Sequence, residues 1–223
     1  MHDITLICTV HDEKGACSLS ELYRIMERIN PETIFEEIPP SAFDAYYRDR
    51  TRSNLETRTI DKYLESHQVD HIPVDYYNVP ASFFEDDRKM HRRVEGISID
   101  YRRLLDTHSS YTRQYGFGYL NSAYCCDLHR ELYRAIEVAL QRMNDEDLYR
   151  TFRLWNSVTE KREHEMISNI YKYSSEHRYD RGLFLLGAGH RASIIEKIQQ
   201  HAAKEPPKLT WNYDQYENIM GNA

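Results

Sequence analysis

The sequence predicts an α/β fold in which helices flank a largely parallel central sheet. Two observations indicate this class: apolar strand-like runs alternate with helical spacing over the first 75 residues, and the same alternation returns near residue 183. Strands that are joined through a helix normally lie parallel in one sheet. Residues 82–175 carry only helical patterns, which predicts an all-helical insertion between strands three and four, with a glycine-broken loop near Gly116. We expect one domain over residues 1–223.

Five short runs rich in β-branched and apolar residues predict the strands. They lie at residues 4–10, 33–38, 69–74, 183–186 and 209–213. Ser18 with Glu21, and Ser53 with Glu56, form capping-box patterns that predict the starts of two helices. Pro73 indicates an edge or an end for the third strand, because proline cannot donate a ladder hydrogen bond.

Composition and charge limit the function classes. The net charge of −7 argues against a nucleic-acid partner, because a general nucleic-acid binder needs a basic face. No apolar run reaches membrane-spanning length, and the amino terminus lacks a signal-peptide pattern, so no membrane partner is expected. The four cysteines are poorly spaced for disulfides, which favours free thiols in the reducing cytoplasm. Neither composition nor charge determines the oligomeric state, and a homo-oligomer is compatible with both.

Polar side chains follow four predicted strands at the edge of the sheet where parallel sheets bind ligands. They are His11 after the first strand, Glu36 and Glu37 in the second, Asp75 after the third and His190 after the fourth. Neighbouring strand residues point to opposite faces, so only one of the two glutamates can face a ligand crevice. Each residue also has a structural interpretation, as a loop histidine, a turn aspartate or an ion-paired glutamate.

Arg162 lies within the apolar stripe of the last helix predicted in the insertion. A buried guanidinium needs an anion, and two interpretations stay open. In the first interpretation, Arg162 forms a structural ion pair with Glu36 or Glu37. In the second, it orients a catalytic carboxylate or holds a developing oxyanion. Gly187 and Gly189 follow the fourth strand and would let the backbone approach a cofactor or ligand closely, although no complete nucleotide-binding motif occurs.

Four short segments together resemble one family, the TraB and PrgY pheromone-shutdown proteins and the Tiki metalloproteases. Cys8-Thr9-Val10-His11 and Gly187-Ala188-Gly189-His190 resemble its two G-x-x-H motifs. Phe35-Glu36-Glu37-Ile38 resembles its glutamate-bearing second strand, and Arg162-Glu163-His164-Glu165-Met166 with Ile170 resembles its arginine helix. The order of the four segments is also that of the family. The wider fold group includes erythromycin esterase and ChaN-like haem-binding proteins.

The resemblance implies a metal-dependent hydrolase that acts on a peptide, amide or ester bond of a small-molecule or peptide substrate. His11, Glu36 and His190 would ligate a divalent ion, for which zinc, manganese, iron and cobalt are equally suitable. Such an ion would activate water for attack on a carbonyl group. Glu36 would be a ligand or the general base, and Arg162 would support Glu36 or the oxyanion. A second carboxylate, Glu37 or Asp75, would move the proton or hold a histidine tautomer.

Two departures from the family pattern keep other functions open. Cys8 stands where the family has glycine, and the pair Glu36-Glu37 replaces a glutamate-apolar-aspartate order. Cys8 would be a tolerated small residue, an obstacle to close backbone approach or a thiolate offered to the site. The alternative is a non-catalytic ligand- or protein-binding domain on the same fold. A third interpretation is a nucleotide- or phosphate-binding hydrolase that uses residues 187–190.

Overall fold

A five-stranded sheet forms the centre of the computed structural model, which describes residues 2–79, 82–202, 209–214 and 216. Its strands are β1 His2–Thr9, β2 Thr33–Glu36, β3 Asp70–Pro73, β4 Arg181–Gly187 and β5 Leu209–Asn212. Their order across the sheet is β3-β2-β4-β1-β5, and every neighbouring pair is parallel. The predicted α/β class is therefore confirmed.

The central strands explain why the sheet is parallel. From Ile4 to Thr9 every residue of β1 is buried, as are all four residues of β2 and residues 182–186 of β4. Strands that are apolar on both faces need helices on both sides, which parallel connections supply. The predicted edge position of the third strand is confirmed, because β3 lies at one edge and ends at Pro73.

Four helices connect or follow the strands outside the insertion. They are α1 Leu19–Ile29, α2 Phe43–Tyr47, α3 Leu55–Leu64 and α8 Arg191–Ala202. Ser18 caps α1 as predicted, by accepting a 3.2 Å hydrogen bond from the Glu21 amide. The predicted cap of α3 is wrong by one residue. Asn54 accepts from the amide of Thr57 at 2.8 Å, and the Thr57 hydroxyl completes the box, so Glu56 is free for another contact.

Four further helices lie between β3 and β4, where the insertion is predicted. They are α4 Phe83–Ile97, α5 Ile99–Leu120, α6 Ala123–Met143 and α7 Glu146–Glu176. The outer parts of these helices bury an apolar cluster of their own, which includes Met90, Val94, Leu132, Leu140 and Phe152. None of the helices among the described residues is both long enough and apolar enough to span a bilayer.

Gly116 marks a kink rather than the predicted loop. The chain stays helical on both sides of it within α5, and the turn into α6 comes later, at residues 121 and 122. Gly116 has φ 55° and ψ −136°, and a Cβ built there would lie 2.9 Å from the carbonyl carbon of Ala16. The glycine therefore provides both the positive φ and the close approach to the loop after β1.

We expect Gly116→Ala to destabilise the fold by about 1–3 kcal/mol, because it adds both backbone strain and a steric overlap. Gly96→Ala is the matched control, because a Cβ there meets nothing within 4 Å and the residue lies in a helix. Helix propensity predicts that the control gains up to about 1 kcal/mol. Urea unfolding followed by circular dichroism measures both values, and equal effects at the two positions would contradict this description of the kink.

Candidate functional site

The strand order brings the polar residues at the strand ends together. The carboxyl ends of β2, β4 and β1 lie side by side, and β3 flanks β2. Glu37, His190 and His11 follow the three central strands, and Asp75 follows β3. Because β4 inserts between β2 and β1, segments that are far apart in sequence meet at one edge of the sheet.

The Glu37 carboxylate is the centre of this group. Its Oε2 accepts a 2.7 Å hydrogen bond from the backbone amide of Gly187, and its Oε1 accepts one of 2.7 Å from Arg162 Nη2. The same Oε1 lies 3.3 Å from Nε2 of His190. Burial raises the pKa of Glu37, but the charges and hydrogen bonds of these partners outweigh burial and hold the pKa well below its usual range. Glu37 is therefore ionised.

Arg162 joins two carboxylates. Besides Glu37, it donates to Asp75 through Nε at 3.1 Å and Nη2 at 2.8 Å. Its guanidinium carbon lies 4.3 Å from the centroid of the Tyr77 ring. The sequence predicts either Glu36 or Glu37 as the carboxylate partner of Arg162, and in the structure the partner is Glu37. A planar guanidinium suits this fork of two carboxylates, which an ammonium could not match.

His190 is held at both ring nitrogens. Its Nδ1 lies 2.7 Å from Glu163 Oε1, and its Nε2 faces Glu37. Glu163 in turn accepts hydrogen bonds from the Ser193 hydroxyl at 2.6 Å and the Lys197 ammonium at 3.0 Å. Burial lowers the pKa of His190, but the two carboxylates raise it to about 9. The ring is therefore a doubly donating imidazolium with a fixed orientation.

His11 differs from His190 in exposure. Its side chain is 62% exposed, and its Nδ1 lies 3.3 Å from Oε1 of Glu56. That oxygen also accepts a 2.5 Å hydrogen bond from the Thr9 hydroxyl, which holds the carboxylate in place. The hydrogen bond that the His11 ring donates to Glu56 raises the pKa of His11 to about 9, although partial desolvation lowers it. The other oxygen of Glu56 is buried and has no hydrogen-bond partner among the described residues.

Glu36 is turned away from Arg162 and His190. It accepts hydrogen bonds from the Tyr47 hydroxyl and from Nδ1 of His71, the latter at 2.9 Å. Burial raises its pKa although both partners lower it. The predicted support of Glu36 by Arg162 is therefore replaced by support of Glu37. The physical reason is the alternation of side chains at the end of β2, which points neighbouring residues in opposite directions.

The predicted metal ligands do not meet as a set. Within residues 2–79, 82–202, 209–214 and 216, one group of at least three His, Cys, Asp or Glu residues has its ligand atoms within 4.8 Å of one another. That group is His108, Cys125 and His129, not His11, Glu36 and His190. Both nitrogens of His190 already face carboxylates, and Glu36 is bound elsewhere. The donor chemistry at the strand ends thus does not fit an ion shared by these three residues.

A cleft of about 880 Å³ opens over the strand ends. His11, Glu37 and Arg162 line it, together with the rings of Tyr46 and Tyr77. Below it lies a cavity of about 10 Å³, lined among others by His11, Glu36, Glu37, Asn54 and Glu56. That volume matches roughly one water molecule. The cleft therefore has the volume of typical small-molecule sites and lies next to a polar cavity of about the size of one water molecule.

The segments of the two G-x-x-H-like motifs have structural duties. Cys8 is buried, and its Sγ lies 3.9 Å from Nη1 of Arg191. Burial raises the pKa of the thiol to about 12, so Cys8 offers no thiolate to the cleft. The side-chain amide of Asn121 accepts a 2.8 Å hydrogen bond from the Cys8 backbone N–H and donates one of 3.1 Å to the Cys8 carbonyl oxygen. At Gly187 a Cβ would lie 3.1 Å from Glu37, and at Gly189 it would lie 3.7 Å from the ring of His129.

Sequence reasoning missed four residues of this site, namely Glu56, Glu163, Tyr77 and Asn121. Glu163 lies inside the arginine-helix segment but next to Arg162, where helical spacing predicts a different face. Glu56 was assigned to a helix cap, and no local pattern indicated its contact with a histidine. Both glutamates are buried, and a buried carboxylate calls for a partner. For Glu163 the sequence contains a signal, because it precedes the buried Met166, Ile167 and Ile170 by three, four and seven residues and so lies in an apolar stripe of α7.

Comparison with known proteins adds no relative: no family model, no curated protein and no solved structure matches this chain. The resemblance to the TraB, PrgY and Tiki proteins therefore stays a prediction from four short segments.

The His190 contacts predict a pH-dependent stability. A histidine has a pKa of about 6.5 in the unfolded chain, and the folded value is about 9. Its stabilising contribution is thus complete below about pH 6.5 and disappears as the pH rises through about 9. We expect the difference in unfolding free energy between the wild type and His190→Gln to shrink by roughly 1–3 kcal/mol over that window. The control is His164→Gln at an exposed position of α7, and a difference that does not change with pH would contradict the assignment.

Proposed function

We propose that this chain is a hydrolase that cleaves a peptide, amide or ester bond by acid–base chemistry at the strand-end cleft, where the metal-dependent TraB and Tiki type would use an ion. One observation carries the proposal: an accessible imidazole, His11, and a guanidinium, Arg162, line the same cleft together with the Glu37 carboxylate that binds Arg162. A proton acceptor and a fixed cation facing one space are the two parts that acyl transfer to water requires.

His11 is the proposed general base. Its carboxylate partner Glu56 is fixed by the Thr9 hydroxyl, so the imidazole presents its Nε2 in a defined direction. The unprotonated ring accepts a proton from the attacking water as oxygen bonds to the carbonyl carbon. The same ring returns that proton to the leaving amine or alkoxide when the tetrahedral intermediate collapses, so protons balance over the cycle.

Arg162 is the proposed stabiliser of the oxyanion. Its guanidinium is fixed in place by Asp75, Glu37 and the Tyr77 ring before any substrate arrives. Such a preorganised cation stabilises developing charge without having to reorient during the reaction. The water-sized cavity beside His11 and Glu56 supplies a polar position for the nucleophile below the bound carbonyl group.

No step is assigned to a metal ion at the strand ends. The predicted ligands His11, Glu36 and His190 are engaged in separate contacts, and the carboxylate next to His190 is Glu37. A divalent ion there would have to displace a buried hydrogen-bonded pair. The zinc, manganese, iron or cobalt ion implied by the family resemblance therefore finds no matching donor set among these residues.

A non-catalytic ligand-binding domain is the second candidate, and one observation favours it. Both oxygens of Glu37 and both nitrogens of His190 are fully engaged by protein partners, as in a structural ion network. In that case the cleft would bind its ligand without transforming it. Turnover measurements distinguish the two candidates directly.

We expect His11→Ala to lower kcat/KM by about 10²–10⁴-fold, the range that a general base contributes. The assay uses a panel of p-nitrophenyl esters and chromogenic amides, with His164→Ala as a control at an exposed position of α7. The control should keep its activity. If no member of the panel is turned over faster by the wild type than by His11→Ala, the chain binds rather than hydrolyses at this site.

The pH profile of activity tests the role of Glu56. With the pKa of His11 at about 9, kcat/KM should rise with pH and reach half its plateau near that value, because only the neutral ring accepts a proton. Glu56→Gln removes the carboxylate that raises this pKa, so the midpoint should move down towards about 6.5. A midpoint that is unchanged in Glu56→Gln would assign the titration to another group.

A further inference from the structure

A second cluster of reactive side chains lies between α5 and α6, apart from the cleft. His108 comes from α5, and Cys125 and His129 come from α6. Cys125 and His129 are four residues apart, so they lie on the same face of one helix. One ligand atom from each of the three residues lies within 4.8 Å of the other two.

The imidazole of His129 is the least satisfied group of this cluster. Its Nε2 is buried and has no hydrogen-bond partner among the described residues. A buried polar atom without a partner loses its hydrogen bonds to water and gains none in return, so such an atom in a native fold needs an explanation.

His108 is oriented towards the same space. Its Nδ1 lies 2.9 Å from the Tyr119 hydroxyl, which leaves Nε2 for another partner. The rings of His108 and His129 meet edge to face, with centroids 4.9 Å apart. An outer hydrogen bond to one ring nitrogen is the usual way in which a protein orients a histidine for a metal at the other nitrogen.

We propose that His108, Cys125 and His129 bind a zinc ion between α5 and α6. Thiolate and imidazole are the ligands that zinc prefers, and two imidazoles with one thiolate leave a fourth tetrahedral position for water or another oxygen donor. Ligand atoms around zinc are roughly 3.3–3.8 Å apart, so the three side chains need to close by at most about 1.5 Å. The Cys125 thiol loses its proton to solvent as the sulfur–zinc bond forms.

The position of this site gives the ion a structural role. The ring of His129 packs against Gly189, in the short helical turn Ala188–His190 that carries His190. A zinc ion would therefore tie α5 and α6 to each other beside the turn that supports the strand-end cleft. This differs from the site predicted from the sequence, in which the ion lies at the cleft itself.

The test uses the full chain, stripped with a chelator and reloaded. We expect about one tightly bound zinc ion per chain in competition with a chromophoric chelator, and a rise in Tm on loading. Cobalt loading should give the thiolate-to-cobalt charge-transfer absorption of a Cys-ligated tetrahedral site. Both signals should be lost in Cys125→Ser and His129→Gln. They should be retained in Cys126→Ser, whose side chain neighbours Cys125 on the helix, and in His11→Ala.

Two results would overturn the proposal. One is a cobalt-loaded wild type without thiolate charge transfer, which needs no variant and so does not depend on how the variants fold. The other is tight zinc binding that survives Cys125→Ser and is lost in His11→Ala, which would place the ion at the strand ends. Circular dichroism of each variant verifies that a lost signal reports a lost ligand.

Discussion

The carboxylate of Glu37 is the interaction on which the rest of the site depends. It is bonded by Arg162 from the insertion, by the Gly187 amide at the end of β4 and by His190 after it. Buried charges are tolerated only when they are paired and hydrogen-bonded. Removal of one charged group from such a network leaves its buried partners uncompensated. The carboxylate therefore does more than join neighbours: without it, Arg162 would keep only Asp75 and His190 only Glu163, and the two cations would face each other with no negative charge between them.

This constraint gives the two histidines different chemistry although the resemblance treats them alike. His190 is fixed between Glu37 and Glu163 and 16% exposed, so its proton is shared with carboxylates and is not offered to a substrate. His11 has one carboxylate partner, Glu56, and a largely exposed ring that lines the cleft. Both pKa values are raised to about 9, yet only the exposed ring can exchange a proton with a ligand. A raised pKa thus accompanies a structural ion pair in one case and an accessible acid–base group in the other.

The sequence predicted the fold well because its strongest signals are local. Apolar runs and capping residues mark β1, α1 and β2 within a few residues, and Pro73 marks the edge strand. The choice between Glu36 and Glu37 could not be read locally, because it depends on which of the two carboxylates meets Arg162, a residue 125 positions away from Glu37. Likewise the capping pattern at Ser53 assigned Glu56 to a helix start, whereas a tertiary contact with His11 and Thr9 occupies it. Contacts between residues far apart in sequence determine the partners of these carboxylates, and the spacing of residues along the chain does not reveal such contacts.

The helical insertion supplies side chains that the strand-end site requires. Arg162 and Glu163 are consecutive on α7, yet one binds Glu37 and the other binds His190, so a single turn of helix serves both sides of the ion network. Asn121, between α5 and α6, binds the backbone of Cys8 three residues before His11. Without the insertion, Asp75 would lose the guanidinium of Arg162, and Glu37 would keep only the Gly187 amide and His190, so buried carboxylate charge would be left poorly compensated. It follows that sheet and insertion must order together, and that a change in the packing of α5 and α6 would reach His11 through Asn121 and His190 through the turn beside His129.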